Sequence, residues 1–408
     1  MADFFTDYID FVQLDASEAP ANYHRWACAS IIGALLGRQT WLPFGHSVIY
    51  PNQFIMLMGP PATKKGTVIN IAKSIIKQAG YKRFAADRTS KERFLMDMKA
   101  FDDMEDDLEM LVMDAPSESY ITAGEFVDFI GQNDIGFLMT LTNLWDNGPL
   151  YEHKKITGKS VIVKDPTVNL LGGSTASTFQ IAFPPEAIGT GSLSRFILVS
   201  GEPSGNKVAW PEPEDELKKA LLVKHVRDIK DRVTGAMSLS PEAKQMGADI
   251  YKEAVPVDDA RFNHYMQRRH IHMIKLAIIL AASRLSTKIE VIDIVRANTM
   301  LAAADRKMPK ALGEFGASRY SDATNKVLEY LNARIKPADG KELWKVVQKD
   351  LNKPSDLNDI LLNLKTADKI QVVSMYGKSG YLPVNKVAAE WNPKYLDNNW
   401  LTPQERFI

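Results

Sequence analysis

Residues 59–67, GPPATKKGT, concentrate the residue types that handle phosphate: a leading glycine, two adjacent lysines at Lys64 and Lys65, and a hydroxyl at Thr67. Such a loop turns backbone N–H groups toward an anion, supplies a mobile ammonium, and leaves a hydroxyl for a magnesium ion. The usual spacing is G-x-x-x-x-G-K-[ST]. Gly59 and Lys65 fill their places, whereas Lys64 stands at the second glycine and Gly66 at the hydroxyl. The expected nucleotide-binding set is Gly59, Pro60, Pro61, Ala62, Thr63, Lys64, Lys65, Gly66 and Thr67. Thr67 would take the magnesium role through a shift of the helix start, or a water would fill in. The competing reading is a strand-to-helix turn with solvated lysines.

Hydrolysis at such a loop needs a carboxylate at a strand end, to hold the metal's water shell or to polarise the attacking water. Two segments compete. Leu111-Val-Met-Asp114 ends a strand-like run in Asp114, a candidate metal ligand, but Ala115 and Pro116 follow it. Tyr120-Ile-Thr-Ala-Gly-Glu125 leads from Glu125 straight into an apolar helix, and Glu125 is preferred as the catalytic carboxylate. Its alternative role is to cap that helix. Gly172-Gly-Ser-Thr-Ala-Ser177 places small polar residues after an apolar run, and Ser174 or Thr175 there would orient water or sense the terminal phosphate. Arg195, between a glycine-rich segment and the run Phe196 to Ser200, is a candidate charge stabiliser or a structural ion pair.

Three more clusters carry weaker signals. Lys154, Lys155 and Lys159 crowd a hairpin-like turn at Thr157-Gly158, where a rigid ribbon would present them to a nucleic-acid backbone. The acidic run Asp102 to Glu109 reads as a solvated connector, because consecutive carboxylates point in many directions. His270 and His272 are two apart, a spacing that does not bring helical side chains together on one metal.

The elements that must position these groups follow from periodicity. Phe54 to Met58 is an unbroken apolar run, as expected of a parallel strand buried on both faces, and Val68 to Gln78 repeats apolar residues at helical spacing. Tyr81 to Ala86 reads as a second strand, and Pro166 to Leu171 as another. Phe4 to Leu36 reads as helices, with His24 and Trp26 as packing residues. From Glu202 to Glu216 the composition is that of a linker, Leu217 to Arg232 reads as a helix, and after the helix start Ser238-Leu-Ser-Pro-Glu242 the chain is helical through Leu312.

With 408 residues the chain exceeds one ordinary core, and 45% hydrophobic with 25% charged content is that of a soluble protein. A single cysteine, Cys28, excludes a disulfide framework and fits a reducing compartment. The acidic start MADFFTDYIDF has no signal-peptide character, and no run reaches membrane-spanning length, so no membrane partner is expected. Fifty basic residues balance fifty acidic ones, so nucleic acid would have to be held by a local basic surface.

In order, EAPANYHRWACASIIGALLGR, YPNQFIMLMGPPATKKGT, AADRTSKERFL, ITAGEFVDFIG, TVNLLGGSTAS and GSLSRFILVSG resemble the P-loop ATPases of phages and mobile elements related to AAA+ (MCM-like) replicative helicases, from the amino terminus to about Leu312. The resemblance implies an α/β P-loop NTPase core of AAA+/RecA-like type with an N-terminal helical collar and a helical lid, and beyond it helices at Asp322 to Leu331, Lys341 to Lys349 and Ser355 to Leu364 followed by short strands at Ile370 to Tyr376 and Gly380 to Val384 read as a C-terminal winged helix. The expected bounds are 1–45 for the collar, 46–205 for the ATPase core, 206–316 for the lid, 317–386 for the winged helix and 387–408 for a tail. It further implies a hexamer that binds ATP and Mg2+ between subunits and drives DNA, single-stranded or forked, in the cytoplasm of a bacterial host. A primase, polymerase or initiator protein would be its partner. Lys65 then meets the phosphates, Glu125 takes the acidic-strand role, Ser174 the first sensor role and Arg195 the neighbour's nucleotide. Arg268 and Arg269 resemble the second-sensor position, and Arg269 joins the nucleotide-binding set. Gly124 stands where an aspartate would precede Glu125. A replication initiator or helicase loader that does not unwind, and a non-catalytic assembly protein, are the alternatives. Lys345, Lys349, Lys353 and Lys378 of the winged helix would meet DNA, or the module would contact protein. The tail, with Trp391, Tyr395, Trp400 and Phe407, reads as a strap over another subunit or a docking peptide.

Overall fold

A computed structural model describes residues 3–12, 17–99, 116–154, 161–184, 187, 191–312, 321–334, 336–351, 353–366, 369–375, 378–384, 390–403 and 405–406. It divides into two compact units, Met1–Gly313 with Trp391–Ile408, and Glu314–Glu390.

The first unit is mixed α/β. Two helices, α1 (Phe4–Phe11) and α2 (Ala21–Leu36), precede a small hairpin of β1 (Thr40–Phe44) and β2 (Ser47–Ile49). The chain then enters β3 (Phe54–Met58), whose five residues are all buried, as FIMLM dictates. After it come α3 (Lys65–Gln78), α4 (Lys91–Lys99), β4 (Glu118–Ala123), the antiparallel pair β5 (Leu150–His153) and β6 (Val161–Lys164), β7 (Thr167–Ser174) and β8 (Phe196–Ser200). Four strands form one all-parallel sheet in the order β4-β7-β3-β8. β3 lies inside it, with Met58 opposite Ser174 on one side and Ser200 on the other.

Helix α2 is buried almost all round, because its small residues Ala27, Ala29, Ser30, Gly33 and Ala34 let neighbours approach on every face. α3 buries a single stripe, Val68, Ile69, Ala72, Ile75 and Ile76. The expected strand at 81–86 is reduced to one parallel bridge, Phe84 with Tyr120. The region expected to run helical to Leu312 is broken into helices Pro241–Lys252, Asn263–Ser283, Val291–Asp305 and Met308–Leu312. Among the described residues no helix is long and apolar enough to cross a membrane.

The tail corrects its expected role. It lies on its own chain: Arg25 of α2 donates two hydrogen bonds to Glu405, at 2.7 and 2.8 Å, and its guanidinium stacks 4.3 Å from the Trp400 ring. Asn298 donates to the Tyr395 carbonyl at 3.0 Å, the Tyr395 hydroxyl donates to Glu253 at 2.6 Å, and Arg296 bridges Asp3 and Asp397. Tyr395 is buried in the first unit and Trp391 and Trp400 are half-buried against it, while Phe407 lies outside the described residues.

Buried histidines set a pH dependence. Burial pulls His24 down to about 4, with Glu405 opposing, and pulls His272 down to about 3. Both folded values lie below the unfolded value of about 6.5, so the unfolded chain takes these protons first. Their contribution is complete above about pH 6.5 and declines as pH falls toward 4 and 3. Thermal melts are expected to show a midpoint that drops by several degrees from pH 7 to pH 5, with a shallower drop in His24→Asn.

The second unit has helices Ser321–Asn332, Gly340–Val347 and Pro354–Thr366 and a three-stranded antiparallel sheet of Ala338–Asp339, Lys378–Pro383 and Ile370–Met375. Its own core is built on Val327, Leu343, Val347, Leu357, Ile360 and Leu364. The Gly340–Val347 helix opens on a capping box, Asp339 accepting from the Glu342 N–H and Glu342 from the Asp339 N–H.

Candidate nucleotide-binding site

The loop leaves β3 at the carboxyl edge of the sheet, where open α/β folds bind ligands. The Gly59 N–H donates to the Ser174 carbonyl at 3.3 Å and the Gly201 N–H to the Met58 carbonyl at 2.8 Å, lacing the ends of β7, β3 and β8 together beneath it. Tyr23 of α2 closes this base, its hydroxyl donating to the Met58 carbonyl at 2.6 Å. A Cβ on Gly59 would stand 2.4 Å from that hydroxyl and 2.7 Å from the Gly201 carbonyl, so only glycine fits. Tyr23 carried no sequence signal, because its role depends on where α2 packs.

Lys64, in the second glycine's place, adopts a left-handed backbone with φ 59° and ψ 24°. The position demands the conformation for which glycine is usually kept, and a lysine there costs roughly 1–2 kcal/mol. Its ammonium pairs with Glu18 at 2.7 Å, and Glu18 also accepts from the Val208 N–H at 3.1 Å. One carboxylate thus ties the loop to the start of α2 and to the segment after β8. Lys64 holds Glu18 below the ordinary carboxylate range.

Lys65 begins α3 and is buried. Its ammonium donates to the Gly59 and Pro60 carbonyls, each at 2.9 Å, and to the Thr63 hydroxyl at 3.2 Å. Thr63 in turn donates to the Pro60 carbonyl at 2.9 Å. Burial lowers the lysine's pKa, and the nearby charge of Glu125 opposes it. The loop therefore folds onto its own lysine, and an arriving phosphate oxygen would replace neutral acceptors with a charged one, a stronger partner. The N–H groups of the first turn, at Lys65, Gly66 and Thr67, have no intrahelical acceptors by the geometry of a helix start.

Glu125 follows β4 and sits at the start of the Phe126–Ile130 helix, yet its side chain makes no capping hydrogen bond. Its exposed carboxylate accepts from the Thr178 hydroxyl at 3.5 Å, and Thr178 shares a 2.9 Å hydrogen bond with the buried Ser174 hydroxyl. Strand order brings these together: β4 neighbours β7, and β7 neighbours β3. The contact is tight. A Cβ on Gly173 would lie 2.4 Å from the Gly124 carbonyl and 3.3 Å from Lys65 Cβ, so the glycine pair in β7 marks where three segments converge. Thr178 was missed; its faint signal is the hydroxyl three residues after Thr175, and the two form a capping box.

The remaining candidates fall elsewhere. Thr67 is exposed one position beyond Gly66, about 100° further round α3. A side chain at Gly66 would meet nothing within 4 Å, so space does not explain the missing hydroxyl. Arg195 stands at the amino end of β8, a strand length of roughly 13 Å from the loop. It is buried and donates to Asp146 at 2.5 and 3.3 Å and to the Gly191 carbonyl at 2.9 Å. Arg269, placed in the nucleotide-binding set by the resemblance, is turned into the first unit's core. It is 3% exposed, bonded to Asp305 and to Asn298, and stacked 4.6 Å from Trp391. One residue of helical rotation turns it into the core, while the half-buried Arg268 faces Asp146 at 3.6 Å. Lys154 is exposed beyond β5 and pairs with Glu152 at 2.9 Å. Asp114, Lys155 and Lys159 lie outside the described residues.

No family model matches this chain, and no curated protein does. The functional reading rests on the residues themselves.

Proposed function

We propose that this chain is an ATP-driven ring translocase acting on DNA, built on a P-loop NTPase core. One observation carries the reading: at the carboxyl edge of a parallel sheet, beside the open N-terminus of α3, the charge of Glu125 is felt by Lys65 and Glu125 is linked through Thr178 to Ser174. In this reading ATP phosphates lie on the first-turn N–H groups of α3. Lys65 leaves the Gly59 and Pro60 carbonyls for a phosphate oxygen and neutralises charge that develops in transfer. Glu125 accepts a proton from a water positioned by Thr178, whose hydroxyl Ser174 holds in place; the water oxygen bonds the terminal phosphorus, and the bond to the departing ADP oxygen breaks.

Magnesium fits less well. The helix position after Lys65 offers no hydroxyl, so no step is routed through the metal. Arg195 is remote from its own loop and held by Asp146, so in this reading it would have to leave that pair to serve a neighbouring subunit's nucleotide in a ring, hexameric by resemblance. In the same reading α1 and α2 form the collar, the helices after β8 the lid, and the second unit a winged helix. The β5–β6 ribbon would carry Lys154, Lys155 and Lys159 to DNA. The test is ATP hydrolysis with and without single-stranded DNA. Expected is stimulation by DNA, with Lys154→Ala/Lys155→Ala lowering DNA affinity by about tenfold, as for one or two lost phosphate contacts. Equal turnover with and without DNA, and unchanged affinity in that variant, would refute the motor. The displaced hydroxyl at Thr67 favours one second reading, an initiator or loader that binds ATP and barely turns it over.

A further inference from the structure

The second unit carries a surface that the nucleotide site does not use. A cleft of about 720 Å³ runs between the Gly340–Val347 helix and the first turns of the Pro354–Thr366 helix. Trp344, Pro354 and Leu357 line its apolar floor, Lys341 and Lys345 stand exposed along its rim, and the one carboxylate in its lining, Asp339, is engaged in capping the helix by accepting from the Glu342 N–H. Trp344 packs on the unit's core from one side, so the ring is held rigid for whatever meets the other. Asn358 closes one end, and one turn further along the same helix Leu362 is 61% exposed.

That helix face decides the class of partner. A helix that reads DNA presents cations to the phosphates and polar donors to the base edges. Here the outward residues after Pro354 are Ser355, Asn358, Asp359, Leu362, Asn363, Lys365 and Thr366, so the only cation stands in the last turn and a carboxylate and a bare leucine hold the centre. Approach of a duplex would bring Asp359 against phosphate and bury Leu362 against a charged groove. A polypeptide has the opposite properties: apolar side chains fill a cleft floored by tryptophan and leucine and cover Leu362, and its acids pair with Lys341 and Lys345. Helix-in-groove recognition uses this combination of apolar anchors and charged rim.

From this complementarity of charge and shape we infer that the second unit is a protein-docking module, and that its cleft takes an acidic amphipathic segment of a partner protein. The inference is independent of the nucleotide reading. Its test is fluorescence anisotropy of the full chain with a labelled helical peptide bearing leucines at i, i+3, i+4 and i+7 among glutamates. Binding is expected, with Kd raised by about tenfold or more in Lys341→Glu/Lys345→Glu and, separately, in Leu362→Asn. Both changes are at exposed positions, and thermal melts check that the variants stay folded. A control peptide with lysines for glutamates should not bind. Absence of binding by the acidic peptide, or binding indifferent to both variants, overturns the proposal. So does a DNA duplex that displaces the peptide and loses affinity in the lysine variant, which would return the surface to nucleic acid.

Discussion

Lys65→Ala is expected to abolish saturable ATP binding, whereas Glu125→Gln should keep binding and lower turnover by about 10²- to 10⁴-fold, the usual share of a general base. The two residues sit on different sides of the same event. Lys65 is an ammonium already desolvated by the loop and held by three neutral oxygens, so its attraction for phosphate is largely unspent in the free protein. Removing it deletes the cation and leaves the Gly59 and Pro60 carbonyls facing an anion. Glu125 has no structural duty that its amide could not share, because it makes no capping bond and is exposed. Fluorescent-nucleotide titration separates binding from turnover, and single-turnover hydrolysis measures the second. Equal hydrolysis by wild type and Glu125→Gln would remove Glu125 from the mechanism. Unchanged binding by Lys65→Ala would remove the nucleotide site itself.

Glu405→Ala is expected to destabilise the first unit by about 3–5 kcal/mol, the range for breaking a buried ion pair while leaving one charge behind. Arg25 and Glu405 are 4% and 3% exposed at their side chains, and alanine at 405 would strand the guanidinium between Trp400 and the core. The double change Arg25→Met/Glu405→Leu should recover most of the loss, because no unpaired charge remains. Burial pushes the Glu405 carboxyl up, but attraction and hydrogen bonds from Arg25, with hydrogen bonds from Thr402, outweigh it and leave the group below its ordinary range. Its folded pKa is therefore depressed, so the contribution is complete above about pH 4.5 and disappears as pH falls through the folded value. Urea unfolding at pH 7 and pH 4 measures both effects. A Glu405→Ala midpoint equal to wild type at pH 7 would mean that the tail detaches without cost.

Much of the core was readable along the chain. FIMLM at 54–58 reads as a buried strand and is one, VINIAKSIIKQ repeats apolar residues at helical spacing and is a helix, and the sheet that β3 joins is parallel, as its apolar run implies. The β5 and β6 arms of the lysine ribbon were legible from the turn between them. These are local properties: burial of a strand or one helix face imposes a period that the residues must obey.

What only the tertiary structure decided are pairings between distant residues. Nothing near Tyr23 in sequence says that it will seal Gly59, nor near Glu18 that it will hold Lys64, nor near Glu405 that Arg25 awaits it. Arg268 and Arg269 look alike in sequence, yet one turns toward Asp146 and the other into an ion pair with Asp305. The physical reason is that periodicity reports which face of an element is buried, whereas the partner on that face depends on the order in which the elements pack. A charge or hydroxyl gains its role from a partner that packing alone supplies.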